Sequence, residues 1–126
     1  LDACIAYARE RTQFGRTLDQ FQAIRFRIAE MATRIEAARA LMYHAAEKLD
    51  TGDQAIAEAA MAKLFASEAS EWVTSEALQI FGGNGYTTEH PAERYWRDAR
   101  ATRIVEGTSE IQKHIVSRTL LGAGAR

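Results

Sequence analysis

A single proline, Pro91, stands in a chain of 126 residues, so almost nothing prevents long runs of helix. The eight glycines gather at a few places: Gly15, Gly52, the group Gly82, Gly83 and Gly85, then Gly107, Gly122 and Gly124. Between these breaks the apolar residues keep helical spacing. From Gln20 to about Asp50, Ile24, Ile28, Met31, Ile35, Ala38, Leu41, Met42, Ala45 and Leu49 recur at three and four positions, as an amphipathic helix requires. Thr51-Gly52-Asp53 makes a short turn. A second long helix then runs to about Phe81, with one stripe of Ile56, Ala60 and Leu64 and another of Met61, Phe65, Ala69 and Trp72. Two apolar faces predict a central helix, and the short turn predicts that the two long helices are antiparallel neighbours. After GGNGYTTEH, Pro91 suits the first position of a third helix reaching about Thr102. A last helix begins near Thr108, where Ser109 with Gln112 has the form of a capping box and Ile111, Ile115 and Val116 supply a buried side. The opening LDACIAYARERTQ also reads as helix, and the tail 122–126 is expected to fray. No alternation typical of strands is present, so the fold class is all-α, an antiparallel helical bundle.

Length bounds the chain to one domain with one modest core. Hydrophobic residues at 47% and charged ones at 26% predict a folded, soluble protein, and the lack of a membrane-spanning run and of a signal-peptide layout adds the expectation that it is intracellular. Lys and Arg at 16 against Asp and Glu at 17 lack the basic surplus of a nucleic-acid binder. No run approaches the roughly 20 apolar residues of a membrane span, and residues 1–11 lack the layout of a signal peptide. Cys4, the only cysteine, has no disulfide or metal-ligand companion, fits a reducing compartment and reads as core packing. His44, His90 and His114 are scattered without partners at ligand spacing, so no metal site is expected. Arg94, Arg97, Arg100 and Arg103, with Glu93 and Asp98 between them, suggest a solvated face or an interface; Trp72 and Trp96 suggest core or interface anchors. Because the chain opens with Leu1 inside a helical pattern, it is expected to be a piece of something longer.

Three loops combine flexible backbone with polar groups at helix ends. In residues 10–22, ERTQFGRTLDQFQ, Arg11 offers a planar fork suited to phosphate and Phe14 a flat apolar face, although a plain linker with Phe14 plugged into the core fits the spacing as well. In residues 79–86, QIFGGNGY, backbone N–H groups at Gly82 and Gly83 can come close to a phosphate or ring and Gln79 can hydrogen-bond; a helix stop followed by an Asn84-Gly85 turn explains the pattern too. In residues 97–112, RDARATRIVEGTSEIQ, Glu106 follows apolar Ile104 and Val105 and precedes Gly107. A carboxylate enclosed by apolar groups has raised proton affinity, as a general base near neutral pH needs; a solvated loop glutamate, or one facing the next helix N-terminus, is the alternative.

Taken together, YARERTQFG, FQAIRFRIAEMA, ALQIFGGNGY and ERYWRDARATRIVEGTSEIQ resemble the C-terminal domain of acyl-CoA dehydrogenases, over essentially the whole chain. The resemblance implies a four-helix-type bundle within an enzyme of three parts, whose N-terminal helical and middle β domains are absent here. It implies FAD as cofactor and assembly as a homo-oligomer, dimer or tetramer. By matching positions, Glu106 is the catalytic base, Gly107 lies beside the substrate, and Arg118 in the last helix corresponds to an arginine near the substrate side in some members. Thr108 and Glu110 contact FAD; Arg11, Gln13 and Phe14 touch its ADP part; Gln79, Ile80, Gly82 and Gly83 reach the FAD of a neighbouring subunit.

The implied reaction is α,β-dehydrogenation of an acyl-CoA to a trans-2-enoyl-CoA, as in fatty acid β-oxidation, with an electron-transfer flavoprotein as acceptor. The implied location is bacterial cytoplasm or the mitochondrial matrix. An acyl-CoA oxidase on the same scaffold is the near rival, and retention of Glu106 argues against the monooxygenase branch. A non-catalytic helical assembly module is the rival from another class, and the isolated chain is expected to be inactive.

Overall fold

The computed structural model describes residues 1–122. It contains five helices: α1 (Asp2–Glu10), α2 (Gln22–Asp50), α3 (Ile56–Phe81), α4 (Ala92–Ala101) and α5 (Ser109–Leu121). The all-α reading holds, with one correction. Residues expected to contain no strand form a minimal hairpin, β1 (Thr12–Gln13) and β2 (Arg16–Thr17), with Thr12 opposite Thr17 and Gln13 opposite Arg16. Its two turn residues, Phe14 and Gly15, are both left-handed, at φ +52° and +79°, which matches the twist of paired strands. Two-residue strands are too short to show alternation. A 3-10 turn at Leu18–Gln20 then delays α2 to Gln22, two residues later than the periodicity predicts.

Helix α3 is the centre of the molecule. It packs against α1, α2, α4 and α5 and against the 3-10 turn Gly82–Tyr86 that follows it. Its buried positions are mostly small, Ala57, Ala60, Ala62, Ser67 and Ala69, so neighbouring backbones come close; larger Val73, Ile80 and Phe81 fill the far end. There they join Cys4, Met31 and Ala92 in the core. Burial pushes the Cys4 thiol above its usual range, as its core-packing reading expects. Helices α2 and α3 are antiparallel: Arg27 pairs with Glu76 at 2.7 Å, Arg34 lies over the Trp72 ring at 4.2 Å, and Lys48 pairs with Glu58 at the other end.

The apolar stripes are followed in the middle of these helices and lost at their ends. Met31 and Ala45 of α2 are buried, but Met42 and Leu49 are exposed, as is Ile56 of α3. Helix α2 packs along little besides α3, and one line of contact covers a narrower strip than the apolar pattern spans.

Two helix starts also differ by one residue. Pro91 is the cap preceding α4 rather than its first residue. Thr108, extended at ψ 164°, caps α5 and accepts a hydrogen bond from the Ile111 N–H at 3.3 Å; Ser109 is already helical and buried. The expected capping box is therefore displaced, and Ile111 faces solvent while Ile115 and Val116 are half-buried. Of the tail expected to fray, residues 123–126 lie outside the described residues. Among the described residues no helix is long and apolar enough to cross a membrane.

Candidate functional site

The first two loops come together in one place. Helix α1 ends at Glu10, the hairpin turns back beside it, and the glycine turn after α3 lies opposite. Arg11, Gln13, Ile80, Gly82 and Gly83 line a shared cleft of about 270 Å³. Tyr7 ties its walls. The Tyr7 ring stacks on Phe81 with centroids 4.3 Å apart, its hydroxyl donates to the Phe81 carbonyl at 3.3 Å, and Asn84 Nδ2 donates to that hydroxyl at 2.9 Å. His90 packs against both rings. Gly85 is fixed by space: a Cβ there would stand 2.7 Å from Phe81 Cβ and 3.1 Å from the Leu78 carbonyl oxygen.

The cleft suits a diphosphate carrying flat rings. The Arg11 side chain forms no ion pair among the described residues. Cβ positions at Gly82 and Gly83 would meet only open space, so a ligand can approach the backbone there. Phe14 is not plugged into the core: at the hairpin tip it is 91% exposed, with its ring edge-to-face to Phe21 at a centroid distance of 6.4 Å. A planar cation beside open backbone can receive a phosphate group, and an exposed ring can receive a flat one. Gln79 is exposed on the last turn of α3, whereas the Ile80 side chain belongs to the core and borders the cleft from within.

The third loop is elsewhere. After α4 the chain turns at Thr102, passes Glu106 at φ +55° and Gly107 at φ +92°, and enters α5. A left-handed glutamate is strained, and the surroundings hold it. Gln112 Nε2 donates to the carbonyls of Glu106 at 3.5 Å and Gly107 at 3.3 Å, instead of reaching back to an N–H as a capping box would. The Ser109 N–H donates to the Arg103 carbonyl at 3.2 Å. Arg103, whose guanidinium is held above its ordinary pKa first by a hydrogen bond to Glu71, contacts Glu71 at 2.6 Å, Glu68 at 3.4 Å and Ser109 Oγ at 3.4 Å. With Arg100 near Glu71 at 3.4 Å, the last two of the four arginines face α3, while Arg94 and Arg97 are exposed.

The apolar enclosure expected around Glu106 is not supplied by this chain. Glu106 is exposed, as are Ile104 at 56% and Val105 at 52%. Next to it, Glu110 is held below the usual carboxylate range, first by its own backbone N–H, then by the Thr108 hydroxyl. Thr108 and Glu110 thus sit with Glu106, and not with the Arg11 cleft. Lys63, whose ammonium reaches the Gly107 carbonyl, lies eighteen residues before Phe81 on α3, so about 27 Å of helix separates the two groups. Arg118 stands apart again, some 14 Å of helical rise beyond Ser109, lining a groove with Ile56, His114 and Ile115.

Tyr7, Lys63, Arg103 and Gln112 hold these loops, and sequence reasoning gave the first two no role and the others a different one. Lys63 left a trace, as the one cation inside the otherwise apolar run AAMAKLFA.

The chain matches the family model "Acyl-CoA dehydrogenase, C-terminal domain" over residues 1–121. It is 50% identical over 122 residues to an acyl-CoA dehydrogenase of Bacillus subtilis, covering 97% of this chain and 32% of that protein. It is 49% identical over 121 residues to the caffeyl-CoA reductase-Etf complex subunit CarC of Acetobacterium woodii, covering 96% of this chain and 32% of that one. The solved structure of butyryl-CoA dehydrogenase from Megasphaera elsdenii superposes with a TM-score of 0.93 at 46% identity, over 95% of this chain and 31% of that chain. The chain therefore spans about a third of the length of its curated relatives.

Proposed function

The chain belongs to the acyl-CoA dehydrogenase family, as its C-terminal domain, and on that premise we propose that it supplies the catalytic base, Glu106, and part of the FAD site of an acyl-CoA dehydrogenase. The observation that carries this reading is the Glu106 turn: a strained left-handed backbone, pinned at its carbonyls, with an exposed carboxylate that pairs with no cation among the described residues, beside a glycine. Strain held in place at one residue is a mark of a site where geometry matters.

The α proton of an acyl thioester is weakly acidic. Its removal needs a carboxylate fixed on one side of the carbon and donors aimed at the carbonyl oxygen, where negative charge develops. Glu106 provides the carboxylate. The Glu106 N–H makes no backbone hydrogen bond among the described residues and can donate to the thioester oxygen, while Gly107, at φ +92° and with Gln112 Nε2 2.6 Å from where a Cβ would stand, lets the turn close tightly beside it. FAD, when bound, supplies the acceptor for the hydride leaving the β carbon. Exposed Ile104 and Val105 would help exclude water from the Glu106 carboxylate once the acyl chain and the rest of the protein cover them. The product would be a trans-2-enoyl-CoA.

The 27 Å separation supports a homo-oligomer, dimer or tetramer. Thr108 and Glu110 would contact the FAD used by Glu106, and the Arg11 cleft with Gln79, Gly82 and Gly83 would hold the ADP part of another subunit's FAD. One chain would thus serve two active sites and complete neither, so the isolated chain should be inactive. Similarity to a subunit named for a complex with Etf supports an electron-transfer flavoprotein as acceptor.

The test is Glu106→Gln in the full-length protein, mixed anaerobically with acyl-CoA. Bound FAD with an undisturbed spectrum and no bleaching is expected; bleaching at the normal rate would refute the base assignment.

A further inference from the structure

Helix α3 carries four glutamates, Glu58, Glu68, Glu71 and Glu76, and one cation, Lys63. Glu58, Glu68, Glu71 and Glu76 all pair with basic side chains from other elements, yet Lys63 pairs with no carboxylate among the described residues. Its half-buried ammonium instead donates to two backbone carbonyls, Thr102 at 2.9 Å and Gly107. These carbonyls stand at the two ends of the segment that carries Glu106. One side chain therefore clasps the segment shut across its mouth, while Gln112 Nε2 holds the Glu106 and Gly107 carbonyls from the α5 side. Hydrogen bonds from a charged donor are stronger than neutral ones, and they fall here on the stretch where Glu106 and Gly107 occupy left-handed backbone.

We propose that Lys63 is a positioning residue for Glu106: its ammonium, together with the Gln112 amide, holds the Thr102–Gly107 segment in the one backbone conformation that aims the carboxylate at the substrate α carbon. The proposal rests on Glu106 being the base. Lys63 touches neither substrate nor cofactor. Without it the segment relaxes toward ordinary right-handed or extended backbone, Glu106 stays present and ionisable, and the fraction of molecules with the carboxylate in line for the α proton falls.

A purely structural role, capping the end of α4, would cost stability and leave the chemistry of folded molecules unchanged. The experiment separates the two in the full-length FAD-loaded enzyme, comparing Lys63→Met, Lys63→Arg and Gln112→Met with Glu106→Gln. Two rates are read per bound flavin: anaerobic bleaching by acyl-CoA, and exchange of the substrate α hydrogen into heavy water. Lys63→Met is expected to slow both by about ten-fold or more, with acyl-CoA affinity within about two-fold of the parent, a loss confined to the chemical step. Lys63→Arg, which keeps a charged donor, should recover most of the rate. Parent-like exchange in Lys63→Met overturns the proposal, as does equal loss in Lys63→Arg and Lys63→Met. Should Lys63→Met fail to retain FAD, Gln112→Met decides, since it removes only the second donor: a loss of about three-fold or more at unchanged affinity supports the clasp, and no loss overturns it. If Glu106→Gln itself bleaches normally, the base assignment fails. If Glu106→Gln is dead while the Lys63 and Gln112 variants are normal, only the clasp fails.

Discussion

Replacing Tyr7 by phenylalanine deletes one oxygen from the wall between the hairpin and the glycine turn. That oxygen accepts from Asn84 Nδ2 at 2.9 Å and donates to the Phe81 carbonyl at 3.3 Å, while the stacked ring stays in place. A well-formed hydrogen bond in a half-buried site contributes roughly 1 kcal/mol net and the longer one less, so the expected cost is about 1.5 kcal/mol. With an unfolding entropy near 2.1 cal/mol/K per residue, a chain of 126 residues loses about 6 °C in Tm for that amount. Urea unfolding followed by far-UV circular dichroism gives the free energy directly. Asn84→Ala and the double variant complete a cycle, in which the expected coupling is about 0.5–1 kcal/mol. A Tyr7→Phe variant as stable as the parent, or additive effects in the double variant, would show that stacking alone joins these loops and that the hydroxyl carries nothing.

Gly85→Ala forces a methyl group to within 2.7 Å of Phe81 Cβ and 3.1 Å of the Leu78 carbonyl, so a loss of about 1–3 kcal/mol is expected in urea unfolding, with weakened FAD retention by the full-length protein. Acid titration should show a second effect. Lys48 first, by hydrogen bond, holds Glu58 below its ordinary range, and the backbone N–H of Glu110 first holds that residue down, so the folded state favours both ionised forms. Their contribution is present above the ordinary carboxylate pKa of about 4.3 and is lost as pH falls through the lower folded values; Glu58→Gln should flatten the stability profile across that acid range.

The long helices were legible because α3 must bury two faces and α2 one, and that requirement is written in the spacing of Ala60, Ala69 and Met31. The antiparallel pairing followed from the shortness of the turn between them. The hairpin was invisible because two-residue strands impose no period, and the cap of α5 slipped by one because Thr108 and Ser109 offer the same hydroxyl. Glu106, Arg11 and the glycine turn could be picked out as types of chemistry, but their grouping could not: which loops share a cleft depends on Tyr7 and Asn84 meeting across 77 positions of sequence, and where the Glu106 loop docks depends on Lys63 reaching across 44. Nor could the sequence disclose that Ile104 and Val105 face outward, since apolar character fixes a preference for burial and not the molecule that provides it.

Because Lys63 grips one loop and Phe81 anchors the other, α3 acts as a ruler between them. A ruler of this kind has discrete settings. Inserting one residue between those two positions would slide the far loop by about 1.5 Å and swing it by roughly 100° about the axis, turning the Arg11 cleft to a different side of the bundle. Side chains along α3 can vary within the limits of packing, but their number cannot. The same geometry leaves segments such as 51–55 and 87–91 free to lengthen, because residues added there would loop out without changing the phase between the two ends of α3.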